Sequence, residues 1–306
     1  MMNEVLIVLN KDEDSISIVN LETREVEKTI PTDHNPHEVV VTPDGKKTYV
    51  TCSLGNTIDV IDNDNFEIVK RITHSDFDFP HGVGLTNDGK KLYMASTYSE
   101  KIFIIDTETD EILKVMDTYQ DKSHMISPSP DGKKIYVPNI GSDNITVVDV
   151  EQEEIVNHFP VGAGPEGVAV HKNNKDLYVA NQKDNTLYVI DTETCKVEYK
   201  RRLGDVPIRI VFSPDYKYAF IPNRESGDLS IIETDYEVNG QVKPWEIKRI
   251  RVGVWPGGTV FNEDGSYAYV ANNKTNDVSI INMEALKEEG RIEVGIHPDG
   301  IAYLKR

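Results

Sequence analysis

PHEVVVTPDGKKTYVTCSLGNTIDVID, residues 36–62, contains three short apolar runs divided by polar turns. The run through Val39 and Val41 leads into Pro43-Asp44-Gly45, and an Asp-Gly pair closes tight hairpins because glycine accepts positive φ. Thr48 to Thr51 forms a second run, Gly55-Asn56 turns the chain again, and Ile58, Val60 and Ile61 lead to Asp62. Three antiparallel strands are written here, and Phe66 to Ile72 supplies a fourth.

The same pattern fills the rest of the chain. Its first turn recurs as Asp44-Gly45, Asp88-Gly89, Asp131-Gly132, Asn173-Asn174, Asp215-Tyr216 and Asp264-Gly265, at spacings of 44, 43, 42, 42 and 49 residues. Four strands in a period of roughly 40 to 45 residues are the signature of a β-propeller. The second strand of each unit carries an aromatic residue (Tyr49, Tyr93, Tyr136, Tyr178, Phe220, Tyr269) placed to pack between neighbouring sheets. Six units lie between Pro36 and Val294, and the two ends assemble a seventh. His297 to Tyr303 reads as a first strand, whereas Glu4 to Asn10, Ser15 to Asn20 and Val26 to Ile30 read as second, third and fourth strands. The expected fold is therefore all-β: one seven-bladed propeller domain over residues 1–306, four antiparallel strands per blade, closed by its two termini. The longest spacing marks an insertion of about seven residues, expected as a polar surface loop over Asp235 to Trp245 on the face away from any site.

Composition narrows the function classes. The 306 residues carry 33 Lys and Arg against 52 Asp and Glu, a formal charge of −19, and nucleic-acid binding draws on clustered cations that this balance lacks. No apolar run approaches the roughly 18 residues that span a bilayer. Met1-Met2-Asn3-Glu4 has neither a basic n-region nor a long apolar stretch behind it, which points to the cytoplasm. A chain whose leader had been removed reads the same way and belongs in the periplasm or outside the cell. Cys52 and Cys195 fall on different sheets at opposite ends, a placement against a disulfide.

The units VTPDGKKTYVTCSLGNTIDVID, SPDGKKIYVPNIGSDNITVVDV and AVHKNNKDLYVANQKDNTLYVIDTET resemble the YVTN-type repeat of bacterial and archaeal seven-bladed propellers, over essentially the entire chain. The resemblance implies the fold and leaves the function open. Relatives of this kind serve as surface-layer modules, lactonases, electron-transfer subunits and metal or haem enzymes.

In a propeller the first strands line the axis, so their starts crowd together at one mouth. There the chain reads Pro36-His37-Glu38, Pro80-His81-Gly82, Ser123-His124-Met125, Pro165-Glu166-Gly167, Pro207-Ile208-Arg209, Pro256-Gly257-Gly258 and Pro298-Asp299-Gly300. Three imidazoles at one repeat position on consecutive blades make His37, His81 and His124 candidate ligands for a transition metal, Cu, Fe or Zn. Glu166, on the next blade, and His297, one residue ahead of the repeat position, are candidate further ligands or acid–base groups; Arg209 is a candidate holder of an anionic substrate, or an ion-pair partner of Glu38, Glu166 or Glu225. Arg224 and Trp255 join it at the rim, with Cys52, Ser53, Ser96, Tyr98, Lys183 and Asn273 on loops that open at the same end. Asn139, Asn181, Asn223 and Asn272 share one repeat position, read as structural. Asp76 to Phe79 and Tyr119 to Asp121 are expected to form a lid; His158 and His171 are expected at the surface.

Three functions fit these residues. The first is a small-molecule enzyme or binder with a His-held metal at the mouth, acting on an anionic substrate as an oxidoreductase, lyase or hydrolase. The second is a non-catalytic module that docks a protein or cell-surface partner. The third is a metal-free, lactonase-like hydrolase using the same His, Glu and Arg side chains.

Overall fold

The computed structural model describes residues 4–306, so Met1, Met2 and Asn3 lie outside the described residues. Seven four-stranded antiparallel sheets stand around a central axis. In the blade that begins with the quoted stretch, Pro36–Val41 is innermost, followed outward by Lys47–Cys52, Thr57–Asp62 and Glu67–Thr73. The middle strands are buried on both faces and read as near-continuous apolar runs, whereas the outermost is exposed or half-buried at every position except Ile72. The closing blade pairs the inner strand Pro298–Lys305 with Glu4–Asn10, joining the two ends of the chain by backbone hydrogen bonds.

Cores form between adjacent sheets, as the recurring aromatic requires. Tyr49, Ile58 and Val60 of one blade interdigitate with Leu92, Met94 and Phe103 of the next, and equivalent clusters fill the other gaps. The Asp-Gly turns are wider than a two-residue hairpin. Gly45 donates its N–H to Thr42 O at 2.8 Å and takes a positive φ of 72°, while Asp44 Oδ1 accepts from Lys46 N. The expected loop over 235–245 is instead an extension of the blade. Strands Asp228–Val238 and Gln241–Arg251 continue as a hairpin turned at Asn239-Gly240, and Tyr236 stacks on Trp245 at 6.1 Å with Arg201 over the indole. Both cysteines are free thiols. Among the described residues no helix is long and apolar enough to cross a membrane.

Candidate functional site

All seven second positions of the mouth units (His37, His81, His124, Glu166, Ile208, Gly257 and Asp299) line one cavity of about 290 Å³. Their convergence has a local cause. Strand pairing slips at the unit in several blades, between Pro36 and Glu38 and between Pro165 and Gly167 for example, and such a bulge re-aims the side chain it releases. The following residue then points further down the axis. Glycine there lets neighbouring inner strands touch backbone to backbone: a Cβ on Gly167 would lie 2.6 Å from Arg209, and one on Gly300 2.6 Å from His37 O.

Three imidazoles stand side by side on one wall. The His81 and His124 rings stack at 3.6 Å between centroids, tilted by 24°, and His37 lies 4.4 Å from His81. Burial holds all three below the usual imidazole pKa, with the charge of Arg209 adding to the effect. They are neutral rings at pH 7. Thr97 Oγ1 lies 3.2 Å from His124 Nδ1, and the other ring nitrogen, Nε2, faces Glu166 Oε1 3.9 Å away. His37 Nε2 faces Asp299 Oδ2 at 3.3 Å.

Arg209 closes the floor. Its guanidinium donates to Glu166 Oε1 at 2.7 Å, to Asp299 Oδ1 at 3.3 Å and to Glu38 Oε1, while Lys11 Nζ reaches Asp299 Oδ2 at 3.3 Å. Two cations thus meet three buried carboxyls, and the surplus negative charge is relieved by protonation. Burial pushes Glu38 up to about 8 against the pull of Arg209, so it holds its proton at neutral pH. Burial raises Glu166 as well. At Asp299 burial works in the same direction, but His37, Lys11 and Arg209 overcome it and keep this carboxylate ionised.

Several sequence expectations are revised by this geometry. His81 and His124 stack face to face while His37 is tilted by 55° to His81, and among the described residues no three His, Cys, Asp or Glu side chains form a set that could hold a metal. His297 is not at the axis: its Nδ1 engages Asp12 and its Nε2 lies 3.3 Å from Lys274 Nζ on the rim. Both terminal nitrogens of Arg209 are committed to carboxyls, leaving Arg224 and Lys122 as rim cations without an ion pair among the described residues. The lid expectation also fails, since Phe77 is core against Phe103 and Phe79 walls the cavity beside His81 and Tyr98. His171 is buried among Tyr178, Phe212 and Tyr216, not at the surface; His158 is exposed as expected.

Other placements follow the repeat. Asn139, Asn223 and Asn272 each span the turn they open, donating to side chains five and seven residues on, and Asn10 does the same in the closing blade. Ser53 and Ser96 donate to Pro80 O and Asp78 O. Trp255 lines the mouth, with Lys274 4.9 Å from its ring centre. Asp299 and Thr97 had no assigned role in the sequence, and Glu38 was read only as a possible ion-pair partner of Arg209. Asp299 was findable, because it occupies the same repeat position as the three histidines and Glu166.

Comparison with known proteins agrees with this architecture. The family model described as lactonase, 7-bladed beta-propeller matches residues 116–293, and a YNCE-like beta-propeller model matches residues 2–78. No curated protein matches the chain by sequence. Among solved structures, Kuenenia stuttgartiensis hydrazine synthase superposes with a TM-score of 0.80 at 23% identity, over 91% of this chain and 92% of that one. The periplasmic gluconolactonase of Pseudomonas aeruginosa gives 0.78 at 16% identity, over 98% and 99%. A protein from Lactobacillus plantarum gives 0.82 at 13%, over the full length of both. At these identities the likeness is one of fold.

Proposed function

Because this chain belongs to the lactonase-type seven-bladed β-propeller family, we propose that it is a hydrolase opening a small-molecule lactone at the mouth of its axis. The observation that carries the reading is a neutral imidazole, His124, set 3.9 Å from a buried carboxyl, Glu166. These are the two groups that ring opening needs. His124 Nε2 takes a proton from water as the water oxygen bonds to the acyl carbon. The ring C–O bond then breaks, and the departing alkoxide takes a proton from Glu166, whose Oε2 has no protein partner and whose acid form burial favours. Water is consumed and a hydroxy acid results. Arg224 and Lys122 stand at the rim of the same cavity, where an anionic substituent would be held, and Trp255 offers a flat face.

Arg209 serves as a positioning residue, fixing Glu166 instead of gripping substrate. A metal-assisted version of this chemistry would need the three rings to turn until their lone pairs converge. Metal content of untagged protein decides that version: stoichiometric Cu, Fe or Zn lost on changing His37, His81 and His124 to alanine would replace the metal-free hydrolase.

Proton release from a panel of γ- and δ-lactones tests the hydrolase. His124→Gln and Glu166→Gln are each expected to lower kcat by about a hundredfold to ten-thousandfold with little change in KM. Wild-type protein that opens no lactone in the panel, or variants as fast as wild type, would overturn it.

A further inference from the structure

The axis holds a second compartment beneath the floor of the mouth. A cavity of about 260 Å³ is lined by the third residues of the mouth units and the strand positions after them, among them Glu38, Met125, Ala169, Arg209 and Thr259. It shares Ser127, Ala169 and Val211 with an opening of about 450 Å³ that is edged by Pro130, Pro214 and Tyr216. Those three edge residues sit in turns between first and second strands, at the end of the ring opposite the mouth. Arg209 borders both compartments, whereas Glu166 borders only the mouth and Glu38 only the space below.

Side chains in the lower compartment are mostly apolar, yet its wall is polar by backbone. Each inner strand is the end strand of its sheet, so one row of its N–H and C=O groups has no strand partner and faces the axis. Groups of that kind are satisfied by water when no protein atom reaches them. Arg209 adds a donor. Its Nε is buried without a partner in a side chain that is 7% exposed. At about 30 Å³ each, about eight water molecules fit the space.

We propose that the axial channel is a solvent inlet, opening on the face opposite the mouth and delivering water to the underside of Arg209. Its role in turnover rests on the hydrolase reading: a bound lactone stops the mouth, and the inlet keeps the floor of the site in exchange with bulk solvent while it does so. Ala169 is among the residues that the two lower cavities share, and it does not line the mouth.

Two variants separate the inlet from the mouth. Ala169→Phe blocks the channel from below, and Ile140→Trp narrows the mouth, which Ile140 lines. The first readout needs no substrate: hydrogen–deuterium exchange of the Arg209 Nε–H by NMR, with ordered solvent located by crystallography. Ala169→Phe is expected to slow that exchange about tenfold and Ile140→Trp to leave it unchanged. Exchange slowed only by Ile140→Trp, or a lower compartment that is dry and takes up xenon, would overturn the proposal. The second readout is turnover, where Ala169→Phe lowers kcat and leaves KM alone; unchanged kcat in a variant shown to exclude the water would overturn the role in hydrolysis. Should the wild type open no lactone, the exchange measurement still decides whether the inlet exists. If Ala169→Phe fails to fold, Ile140→Trp alone discriminates, since exchange through the mouth would slow in it.

Discussion

A guanidinium taken out of water among carboxyls keeps its proton at any accessible pH, so the adjustment around Arg209 falls on its neighbours. Glu38 and Glu166 can be neutral; Arg209 cannot. Removing the cation leaves Glu38 and Glu166 buried without a cationic partner and Asp299 with Lys11 and His37, and Arg209→Met is expected to cost about 3–5 kcal/mol in urea unfolding. Arg209→Lys should recover only part of that, because one ammonium cannot bond Glu38, Glu166 and Asp299 at the angles of a planar fork. Glu38 adds a pH signature. Its folded pKa of about 8 lies above its unfolded value, so its contribution is fully present below the unfolded pKa and is lost as pH rises through the folded one. Buried histidines act in the opposite sense, losing stability as pH falls below about 6.5. Between about 6.5 and about 8 only the carboxyls that burial raises, Glu38 foremost and Glu166 with it, contribute. Melting temperature should therefore fall across that window in wild type and flatten in Glu38→Gln; an equal slope in both would show that Glu38 does not carry the proton.

Strands are where sequence and structure agree best, and the reason is periodicity. The turn between first and second strands, the buried apolar runs and the recurring aromatic each repeat six or seven times, and a signal repeated that often places every blade. Features present once were harder to read. The insertion after Glu233 lacks apolar alternation but pairs as a hairpin, because its partners are the flanking strands already in register. His171 looked like a turn residue and is buried by Phe212 and Tyr216 from the next blade, an inter-blade contact that local pattern does not encode. Within the site, the histidines and Glu166 were legible from their repeat position. Pairing of Arg209 with Glu38 or Glu166 was among the alternatives read from the sequence, whereas its pairing with Asp299, 90 residues away, was not. Close contact of inner strands gives a test at this scale. Gly300→Ala would force a Cβ to 2.6 Å from His37 O and should destabilise by about 1–3 kcal/mol, whereas Gly290→Ala, with no atom nearer than 3.9 Å, should be close to neutral. Equal melting temperatures for the two would mean that the inner strands are free to shift apart.

Closure by the two termini makes the ring one cooperative object. The strand Pro298–Lys305 pairs with Glu4–Asn10, covers an edge and carries Asp299 into the mouth. A chain ending at residue 297 should lose its cooperative melt instead of fraying locally; retention of the wild-type transition would show that six blades stand without the seventh. The same closure completes the mouth in which imidazoles from three separate stretches stand side by side, and their neutrality is what equips the mouth to accept a proton. An NMR pH titration of the histidine ring protons tests that condition directly. His37, His81 and His124 are predicted to remain neutral as pH falls through about 6.5, the value at which a free imidazole is half protonated; three mouth imidazoles that take up protons at that pH would contradict the account.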